Sequence, residues 1–589
     1  AVFIPIGFMG GLTGSLFTEF AFTLVATVIV SMIVALTLTP MLCSKVLRRT
    51  PAHGLTHTLD AGFARLRGAY DRSLHAVLDA RPAVLAAGAC VLASIPFLFL
   101  GTHGELAPTE DQGTVLVSGT GPATATLKYL DKYNEQIHQI LAGFPETGLV
   151  WQIGGLAPSG GAGNNAVFGG ANLKPWGQRS RTQMQILPLI QQKLNAVTGL
   201  QTVAFARPTL PGSSGGLPIQ FVLMSTHGYA QMNADADNLI GAAMKTGQYT
   251  FLTKDLHYDA PTISLDVKRD VAADLGLDMA TIGANLGALL SENYVGRFDM
   301  SGHSYEVIPQ VPDALRANAN ALGDYYLRTS SGKLVPLTTV VDVRRGVQPE
   351  YLPQFQQQNS VTIQGTMAPG VTLGQALATL KSLAAKDLPT GYAVDYASES
   401  RQFIRQGNTV IVTFGLSILL VYLLLAAQFE SFRDPLIVLV AVPMSVFGAL
   451  AFLFLGAATL NIYTEVGLIT LIGLITKQSI LIVQFANVMQ EEQGLDRQTA
   501  AERASSIRLR PILMTTGAMV LGVVPLLLAT GPGAVSRFDM GLVIATGLTI
   551  GALISLYVVP VIYTYVATDK AAAADKLVTS NEPTQVPGL

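Results

Sequence analysis

Charged residues are scarce in this sequence. Its 589 residues include 37 basic and 39 acidic ones, or 13%, against roughly 25% in an average globular protein. Hydrophobic residues make up 50% of the chain. The formal net charge of −2 offers no basic excess for binding a polyanion. This composition excludes an ordinary soluble enzyme, a disordered chain and a nucleic-acid-binding protein.

Cysteines and catalytic motifs are equally scarce. Cys43 and Cys90 are the only cysteines, so neither a disulfide framework nor a cysteine zinc site can form from them. The 8 histidines show no metal-ligand spacing, and the sequence has neither a nucleophile elbow nor an HExxH motif. Methionines 224, 232 and 244 are interpreted as core residues rather than a metal ladder. The sequence therefore predicts no metal site and no enzyme active site.

What the sequence does contain is a series of long apolar runs. A helix of roughly 20 apolar residues spans a bilayer. Seven runs qualify, at about 20–44, 82–101, 407–429, 435–456, 464–488, 511–531 and 540–567. Residues 1–18 form a further, partial run, and no charged region precedes it as in a signal peptide. The sequence predicts a polytopic α-helical membrane protein with seven complete spans and one partial span.

Lysine and arginine predict how the spans are oriented. Segments 45–81 and 489–510 carry seven and four basic residues, so both are expected in the cytoplasm, as is the tail 568–589. Within the first of these, residues 55–79 repeat apolar positions at spacings of three and four. This pattern predicts an amphipathic helix on the inner surface, although a simple connector helix fits equally well. The parity of the spans then places 102–406 outside, in the periplasm of a Gram-negative cell.

Residues 102–406 alternate short strand-like runs with helical stretches, which is typical of small α+β units. We predict one unit at 108–207 and a second one formed by 208–263 and 350–400. Segment 270–348 interrupts the second unit and is interpreted as an insertion with a projecting hairpin. The predicted helices of this region are 126–142, 182–197, 231–245 and 372–386.

A glycine-rich stretch, Ile153–Gly170, contains seven glycines. It is not a phosphate loop, because no Gly-Lys-Ser/Thr follows it. Two interpretations stay open: a flexible surface loop, or a mobile flap over a substrate path. Trp151 and Phe168 are the aromatic residues near it.

One charge lies inside a predicted span. Lys477 is about 11 residues from either end of Val466–Val488, and a lysine at mid-bilayer is costly unless it is paired. It is therefore a functional candidate, with a structural ion pair as the alternative. No predicted span contains an interior Asp or Glu, so the counter-ion is expected from a segment outside this sequence or from another chain. A carboxylate that alternately pairs with a lysine and binds a proton would be a natural proton-coupling device.

Two further polar residues begin the next span. Arg508 and Thr515 are seven residues apart, which places them on one helix face. Arg508 is interpreted either as lining a cytoplasmic proton exit or as a positive-inside anchor. Thr515 is a candidate for a hydrogen bond to the Lys477 cluster.

An internal repeat accompanies these features. A shift of 520 aligns residues 1–40 with 521–560 and matches Pro5 with Pro525 and Pro40 with Pro560. Transporters are commonly built from duplicated halves. We therefore expect residues 1–44 to be the last two spans of a first half, with four more spans and a matching external domain upstream.

Several motifs together resemble the C-terminal half of resistance–nodulation–division (RND) multidrug efflux pumps, in the hydrophobe/amphiphile branch typified by AcrB. The motifs are Thr109-Glu-Asp-Gln-Gly113, Leu173-Lys-Pro-Trp176, Leu425–Ser431, Gly467–Val483 and Arg508–Thr515. The resemblance implies ferredoxin-like porter subdomains with an inserted docking subdomain, outside a membrane bundle. It also implies a homotrimeric drug/proton antiporter of the inner membrane, which needs no cofactor. Its partners would be a periplasmic adaptor, an outer-membrane channel and hydrophobic or amphiphilic small molecules.

The same resemblance assigns residues. Lys477, Arg508 and Thr515 match the family's proton-relay lysine, arginine and threonine, whereas the relay's two aspartates belong to the fourth span of the first half. The glycine-rich stretch takes the place of the family's switch loop, so the implied substrate path includes Trp151, Gly154, Gly155, Leu156 and Phe168. The family often has phenylalanines there and this chain has glycines, which weakens the expectation of an aromatic grip on substrate. The alternatives are a non-transporting membrane subunit, a scaffold or a decayed fragment, and, less favoured, a metal-ion efflux protein.

Overall fold

Long apolar helices flank a mixed α/β region in the chain. The computed structural model describes residues 2–8, 10–46, 55–156, 162–210, 216–291, 294–316 and 318–569. The helices are α1 (Ile4–Gly7), α2 (Gly11–Val46), α3 (Leu55–Asp79), α4 (Arg81–Gly101), α5 (Leu127–Ala142), α6 (Gln183–Leu194), α7 (Tyr229–Met244), α8 (Arg269–Asp274), α9 (Met279–Leu290), α10 (Asp313–Arg316), α11 (Leu337–Val340), α12 (Leu373–Asp387), α13 (Ser398–Phe429), α14 (Asp434–Leu439), α15 (Ala441–Phe454), α16 (Ile462–Gln493), α17 (Arg497–Leu527) and α18 (Ala534–Val566). The strands are β1 (Thr114–Thr120), β2 (Thr147–Leu156), β3 (Ala162–Leu173), β4 (Gln201–Ala206), β5 (Ile219–Ser225), β6 (Tyr249–Lys254), β7 (Ala260–Val267), β8 (Gly296–Met300), β9 (His303–Val307), β10 (Tyr326–Arg328), β11 (Leu334–Pro336), β12 (Val341–Gln348), β13 (Gln354–Phe355), β14 (Gln358–Met367) and β15 (Tyr392–Tyr396).

Seven helical segments of the described chain are long and apolar enough to cross a membrane. They lie in α2, α4, α13, α14 with α15, α16, α17 and α18, and each covers most of an apolar run in the sequence. The region expected to hold a partial span, residues 1–18, contains the short helix α1 and the beginning of α2, because α2 begins at Gly11 and continues past Glu19. A single glutamate does not interrupt the backbone hydrogen bonds of a helix, so α2 starts before the apolar run at 20–44.

Glycines allow three of these helices to approach one another closely. A Cβ atom at Gly547 would lie 2.4 Å from Leu471 Cδ1, and one at Gly551 would lie 2.6 Å from Ser445 Cβ. Small residues at such crossings are the usual way in which membrane helices gain van der Waals contact. The glycines of α18 therefore determine how closely α15, α16 and α18 pack together.

The predicted amphipathic connector is the helix α3, which packs against the N-terminal part of α17 and the C-terminal part of α18. Leu74 and Leu78 are fully buried, and the Tyr70 hydroxyl donates to the Leu556 carbonyl at 2.7 Å. Arg67 donates through Nε to Ser506 Oγ at 2.9 Å. The apolar stripe that the sequence shows is thus covered, at least in part, by the bundle itself. The side chains of 55–59 lie outside the described part.

The first external unit is a four-stranded antiparallel sheet in the order β2-β3-β1-β4, with α5 and α6 packed on it. Both helices begin where the sequence predicts, because Thr126 and Thr182 cap their first turns with side-chain oxygens. The glycine-rich stretch is largely strand rather than loop, since it forms the end of β2 and most of β3. A Cβ at Gly170 would lie 2.3 Å from the Val115 carbonyl oxygen, so this sheet position requires glycine. Residues 157–161, between the strands, lie outside the described part.

The second unit holds five strands, in the order β13-β14-β5-β15 with β6 also paired to β14, covered by α7 and α12. The insertion leaves it through β7 and β12, which pair along their whole length from Val341 with Val267 to Gln348 with Ala260. β7 therefore belongs to a two-stranded stalk rather than to the five-stranded sheet. The predicted hairpin is present as β8 and β9 and is solvent-exposed.

Candidate functional site

Lys477 lies near the middle of α16, with its side chain exposed on the surface of the bundle. Within the described chain it forms neither a salt bridge nor a hydrogen bond. Its neighbours Thr476, Gln478 and Ser479 are buried on the other sides of the helix. One turn earlier on the exposed face, a Cβ at Gly473 would lie 3.3 Å from Val2 Cγ2. The lysine ammonium therefore points away from the packed core of α15, α16 and α18.

Arg508 contacts α16 closer to the C-terminal end of that helix than Lys477. Its guanidinium lies 4.4 Å from the ring centroid of Phe485, in a cation–π arrangement. Phe485 follows Lys477 by eight residues, which is about 12 Å along a helix. The Arg508 Nε is buried, with no hydrogen-bond partner among the described residues. Arg508 and Lys477 thus lie at different levels along α16, with the arginine nearer the C-terminal end of the helix.

The polar contact between α16 and α17 involves a different threonine from the predicted one. The Thr515 hydroxyl donates to the Ile512 carbonyl of its own helix at 3.1 Å. The next residue, Thr516, is buried and accepts from Gln478 Nε2 at 2.7 Å. Gln478 stands beside Lys477 in an otherwise apolar run, which is the signal by which the sequence could have identified this pair.

The residues of the predicted substrate path lie on β2 and β3. Trp151 and Phe168 form an edge-to-face pair with ring centroids 5.7 Å apart. Both pack on a small apolar cluster that includes Phe205. Gly154, Gly155 and Leu156 form the end of β2, and Gly155 has a φ of +79°, which favours glycine.

A cleft of about 670 Å³ separates the two external units. One wall comes from α6, from β4 with Phe205 and from Arg207 directly after β4, and the other comes from residues 366–371. Glu105, from the segment after α4, and Glu399, from the first turn of α13, also line the cleft. Because Phe205 belongs to both the cleft and the Trp151 cluster, the aromatic pair and the cleft are connected through one side chain.

Comparison with known proteins identifies the family of this chain. A family model described as the AcrB/AcrD/AcrF family matches residues 1–567. The chain belongs to this family. The predicted kinship with RND multidrug efflux pumps is therefore confirmed, and with it the prediction that the protein belongs among transporters rather than enzymes.

Individual relatives support the same placement of this AcrB/AcrD/AcrF-family chain. An uncharacterized transporter of Haemophilus influenzae is 38% identical over 580 residues, covering 97% of this chain and 55% of the relative. The multidrug resistance protein MdtF and the multidrug export protein AcrF of Escherichia coli K12 are each 29% identical, covering 96% of this chain and 56% of the relative. The chain spans about half the length of the curated relatives it matches.

Sequence reasoning missed a group of carboxylates where the membrane bundle of this AcrB/AcrD/AcrF-family chain meets its external units. They come from segment 102–113, from the first turns of α13 and α16, and from the second turn of α18: Glu105, Glu110, Glu399, Glu465 and Asp539. Glu110 is 2% exposed and accepts from both the Ser536 backbone N–H and its hydroxyl, each at 2.6 Å. Asp539 accepts from Asn461 Nδ2 at 2.7 Å, while Asn461 also caps the start of α16.

Hydrogen bonds from neutral groups hold four of these side chains, those of Glu105, Glu110, Glu465 and Asp539. Thr459 donates its hydroxyl to Glu105 Oε1 at 2.6 Å, and Gln406 approaches Glu465 Oε2 at 3.5 Å. Across the described chain none of the five carboxylates forms a salt bridge with Lys, Arg or His. Burial raises the pKa of Glu105, and the Thr459 hydrogen bond opposes this only in part. No group of His, Cys, Asp and Glu among the described residues has the arrangement of a metal site.

Proposed function

We propose that this chain is part of a proton-driven efflux transporter of the inner membrane, which exports hydrophobic or amphiphilic small molecules. One observation carries the proposal: a lysine without an acidic partner in the described chain stands at the middle of a membrane helix. A cation at that depth is costly unless another group offsets it, and such residues are functional by default.

In this proposal a carboxylate from outside the described residues packs against the exposed face of α16. Pairing with Lys477 keeps the carboxylate ionised, whereas separation from the lysine in an apolar environment favours its protonation. Proton binding and release would thus alternate with two positions of α16. Because α16 packs tightly on α15 and α18, such a shift moves the bundle rather than one side chain.

We further propose that the mixed α/β region lies in the periplasm. Basic residues, among them Arg81 and Arg497, stand at the opposite ends of the spans, where the positive-inside rule places the cytoplasm. The family and the two α/β units with their insertion support a homotrimer with porter and docking subdomains. An adaptor and an outer-membrane channel would complete the export route.

Substrate would pass through the cleft between the external units. The cleft has the volume of small-molecule sites, which run from about 300 to 1,000 Å³. Trp151 and Phe168 adjoin it through Phe205 and offer apolar contact. Glycines at 154 and 155 allow the end of β2 to change conformation while substrate passes.

A substitution at Lys477 tests this function. In the transporter that contains this chain, Lys477→Ala should abolish drug export and drug-dependent proton uptake while the protein level in the membrane stays unchanged. Gln484→Ala is the matched control, because Gln484 is exposed seven residues later on the same helix. Export would be measured as dye accumulation in cells that lack other pumps.

Two results would contradict the proposal. Normal export by the Lys477→Ala protein would remove the lysine from proton coupling. Absence of export by the unsubstituted transporter, with correct assembly, would favour the alternative of a non-transporting subunit or scaffold.

A further inference from the structure

The N-terminus of α18 is capped by a residue from a distant part of the chain. Its N-cap residue is Gly533, which has no side chain to accept a hydrogen bond. Glu110 takes this role, because its Oε1 accepts from the backbone N–H and from the hydroxyl of Ser536, each at 2.6 Å. A carboxylate at this place satisfies an N–H of the first helical turn and complements the helix dipole. The contact therefore ties the segment after α4 to the last membrane helix.

The next residue, Asp111, binds the first external unit. Its Oδ2 accepts from the backbone N–H of Gln183, the first residue of α6, at 2.7 Å. Its two oxygens also accept from Arg179 Nη1 at 3.1 and 3.2 Å, and the side chains of this ion pair are almost fully buried. Two residues later the Gly113 carbonyl accepts from the Leu173 N–H of β3 at 2.7 Å. Asp111 and Gly113 thus fix the chain to the unit just before β1 begins.

These contacts leave no free length of chain between the membrane bundle and the first external unit. Glu110 and Asp111 are consecutive, and the Cα atoms of consecutive residues are about 3.8 Å apart. They are 2% and 6% exposed, so water has little access to their hydrogen bonds. Each side chain is bonded to the first turn of a different helix. A displacement of α18 is therefore passed to α6 across a single peptide bond.

At the membrane end, α18 is joined to α16, the helix that carries Lys477. Asp539 of α18 accepts from Asn461 Nδ2, at the start of α16, at 2.7 Å. A Cβ atom at Gly467 of α16 would lie 3.1 Å from Val543 Cγ1 of α18, so the two helices are in close contact below this hydrogen bond. The proposed shift of α16 would therefore carry α18 with it.

At the external end, α6 forms part of one wall of the cleft between the external units. The opposite wall, residues 366–371, belongs to the second unit, which continues directly into α13. Neither Glu110 nor Asp111 lines the cleft. The two residues can thus change the position of one cleft wall without contacting a molecule in the cleft.

We propose that Glu110 and Asp111 are positioning residues for transport, which form a joint between α18 and α6 and so change the width of the cleft when the bundle moves. The joint rests on the proposed function for the movement itself, which begins at Lys477. It acts on the first external unit, whereas α13 acts on the second. The two connections therefore move opposite walls of the cleft.

Loss of the Glu110 carboxylate should separate export from proton flow. In the transporter that contains this chain, Glu110→Ala should lower the maximal rate of dye export about tenfold and leave the dye concentration for half-maximal export unchanged. Proton flow down an imposed pH gradient would be followed with a pH-sensitive dye trapped in proteoliposomes. It should continue and no longer require substrate, because the bundle then moves without α6. Lys477→Ala should instead abolish both export and proton flow.

Two substitutions are matched to Glu110→Ala. Glu110→Gln keeps an oxygen that can accept both hydrogen bonds from Ser536, so it should restore most of the export and its dependence on substrate. Gln112→Ala alters the same segment, but Gln112 donates to the Pro208 carbonyl at 3.3 Å and does not belong to the joint. Gln112→Ala should export normally.

A variant that keeps both side chains tests the joint independently. One glycine inserted between Glu110 and Asp111 adds about 3.5 Å of chain. It should separate export from proton flow as Glu110→Ala does, with an unchanged protein level in the membrane. A glycine inserted after Gly332, in the exposed turn between β10 and β11, is the control and should leave export unaffected.

Normal export by Glu110→Ala or by the protein with the glycine between Glu110 and Asp111 would overturn the proposal. So would equal losses of export and proton flow, because that result would place Glu110 in the proton path or in the stability of the fold. Failure of the proposed function is distinguishable from both results. Export that survives Lys477→Ala contradicts proton coupling through the lysine, whereas normal export by Glu110→Ala leaves the requirement for Lys477 intact.

Discussion

At the residue scale, Lys477 and the carboxylates near the ends of the spans differ in the partners that surround them. Lys477 lies at the middle of a membrane helix and no described residue pairs with it, whereas Glu105 and Asp539 lie near the ends of the spans and accept hydrogen bonds from Thr459 and Asn461. Lys477 could be found from the sequence, because one position in an apolar run is enough to show it. The proximity of Glu105 and Glu465 could not, because it depends on how the segment after α4 packs against the start of α16.

In the external part, the ionisation of Glu146 should govern stability in acid. Glu146 is buried, and Arg181 donates to its two oxygens at 2.7 Å each, which lowers the pKa of the carboxyl. A lowered pKa means that ionised Glu146 stabilises the fold above its unfolded pKa of about 4.3, and that this contribution is lost as the pH falls through the lowered native value. Glu146→Gln should therefore unfold at a lower temperature at neutral pH and lose less stability on acidification.

The measurement for Glu146 is the unfolding temperature between about pH 7 and pH 3. Glu135→Gln is the control, since Glu135 is exposed on α5 and should keep the acid profile of the unsubstituted chain. An unchanged slope in the Glu146→Gln protein would show that the Arg181 pair does not contribute to acid sensitivity.

At the scale of helices and strands, features set by the local sequence could be predicted, whereas features that depend on distant contacts could not. The helices of the external units could be predicted to within a few residues, because Thr126, Thr182 and Thr372 mark their starts and apolar residues recur along them. The start of α13 was missed, since Glu399 and Arg401 end the apolar run while the helix continues outside the membrane. The pairing of β7 with β12 was missed for another reason: those strands are far apart in sequence and meet only through the insertion between them.

Close helix packing gives a prediction at this scale. Gly551→Ala on α18 would place its Cβ 2.6 Å from Ser445 Cβ and 2.7 Å from Ser445 Cα. Overpacking of this kind costs about 1–3 kcal/mol, which meets or exceeds the gain of about 1 kcal/mol that alanine brings to a helix. The unfolding temperature of the purified protein in detergent should therefore fall.

Gly522→Ala on α17 is the matched substitution, because no described atom lies within 4 Å of its Cβ position outside the local helix. It should leave the unfolding temperature unchanged or raise it. If both substitutions have the same effect, helix propensity rather than the contact between α15 and α18 determines the stability of the bundle.

At the scale of the whole molecule, the chain joins one membrane bundle to two α/β units and an insertion. This organisation followed from the sequence, because long apolar runs and strand–helix alternation are local and separate clearly. The segment after α4 ties the parts together: the Glu105 N–H donates to the Leu460 carbonyl, and the Gly374 N–H donates to the Gly104 carbonyl. The proposed shift of α16 would therefore reach the external units through backbone hydrogen bonds as well as through α13.

The last prediction concerns the chain by itself. If a carboxylate outside the described residues is the partner of Lys477, then expression of this chain alone in a pump-deficient cell should give no resistance to dyes or detergents. The chain would still insert in the membrane, because its spans and the glycine contacts of α15, α16 and α18 are internal to it. Minimal inhibitory concentrations, with membrane insertion checked by protease accessibility of the external units, would test this. Co-expression with the rest of the transporter should restore resistance, and Lys477→Ala should remove it again. Resistance conferred by the chain alone would mean that Lys477 works without an outside partner, and proton coupling would then have to be sought in the carboxylates at the ends of the helices.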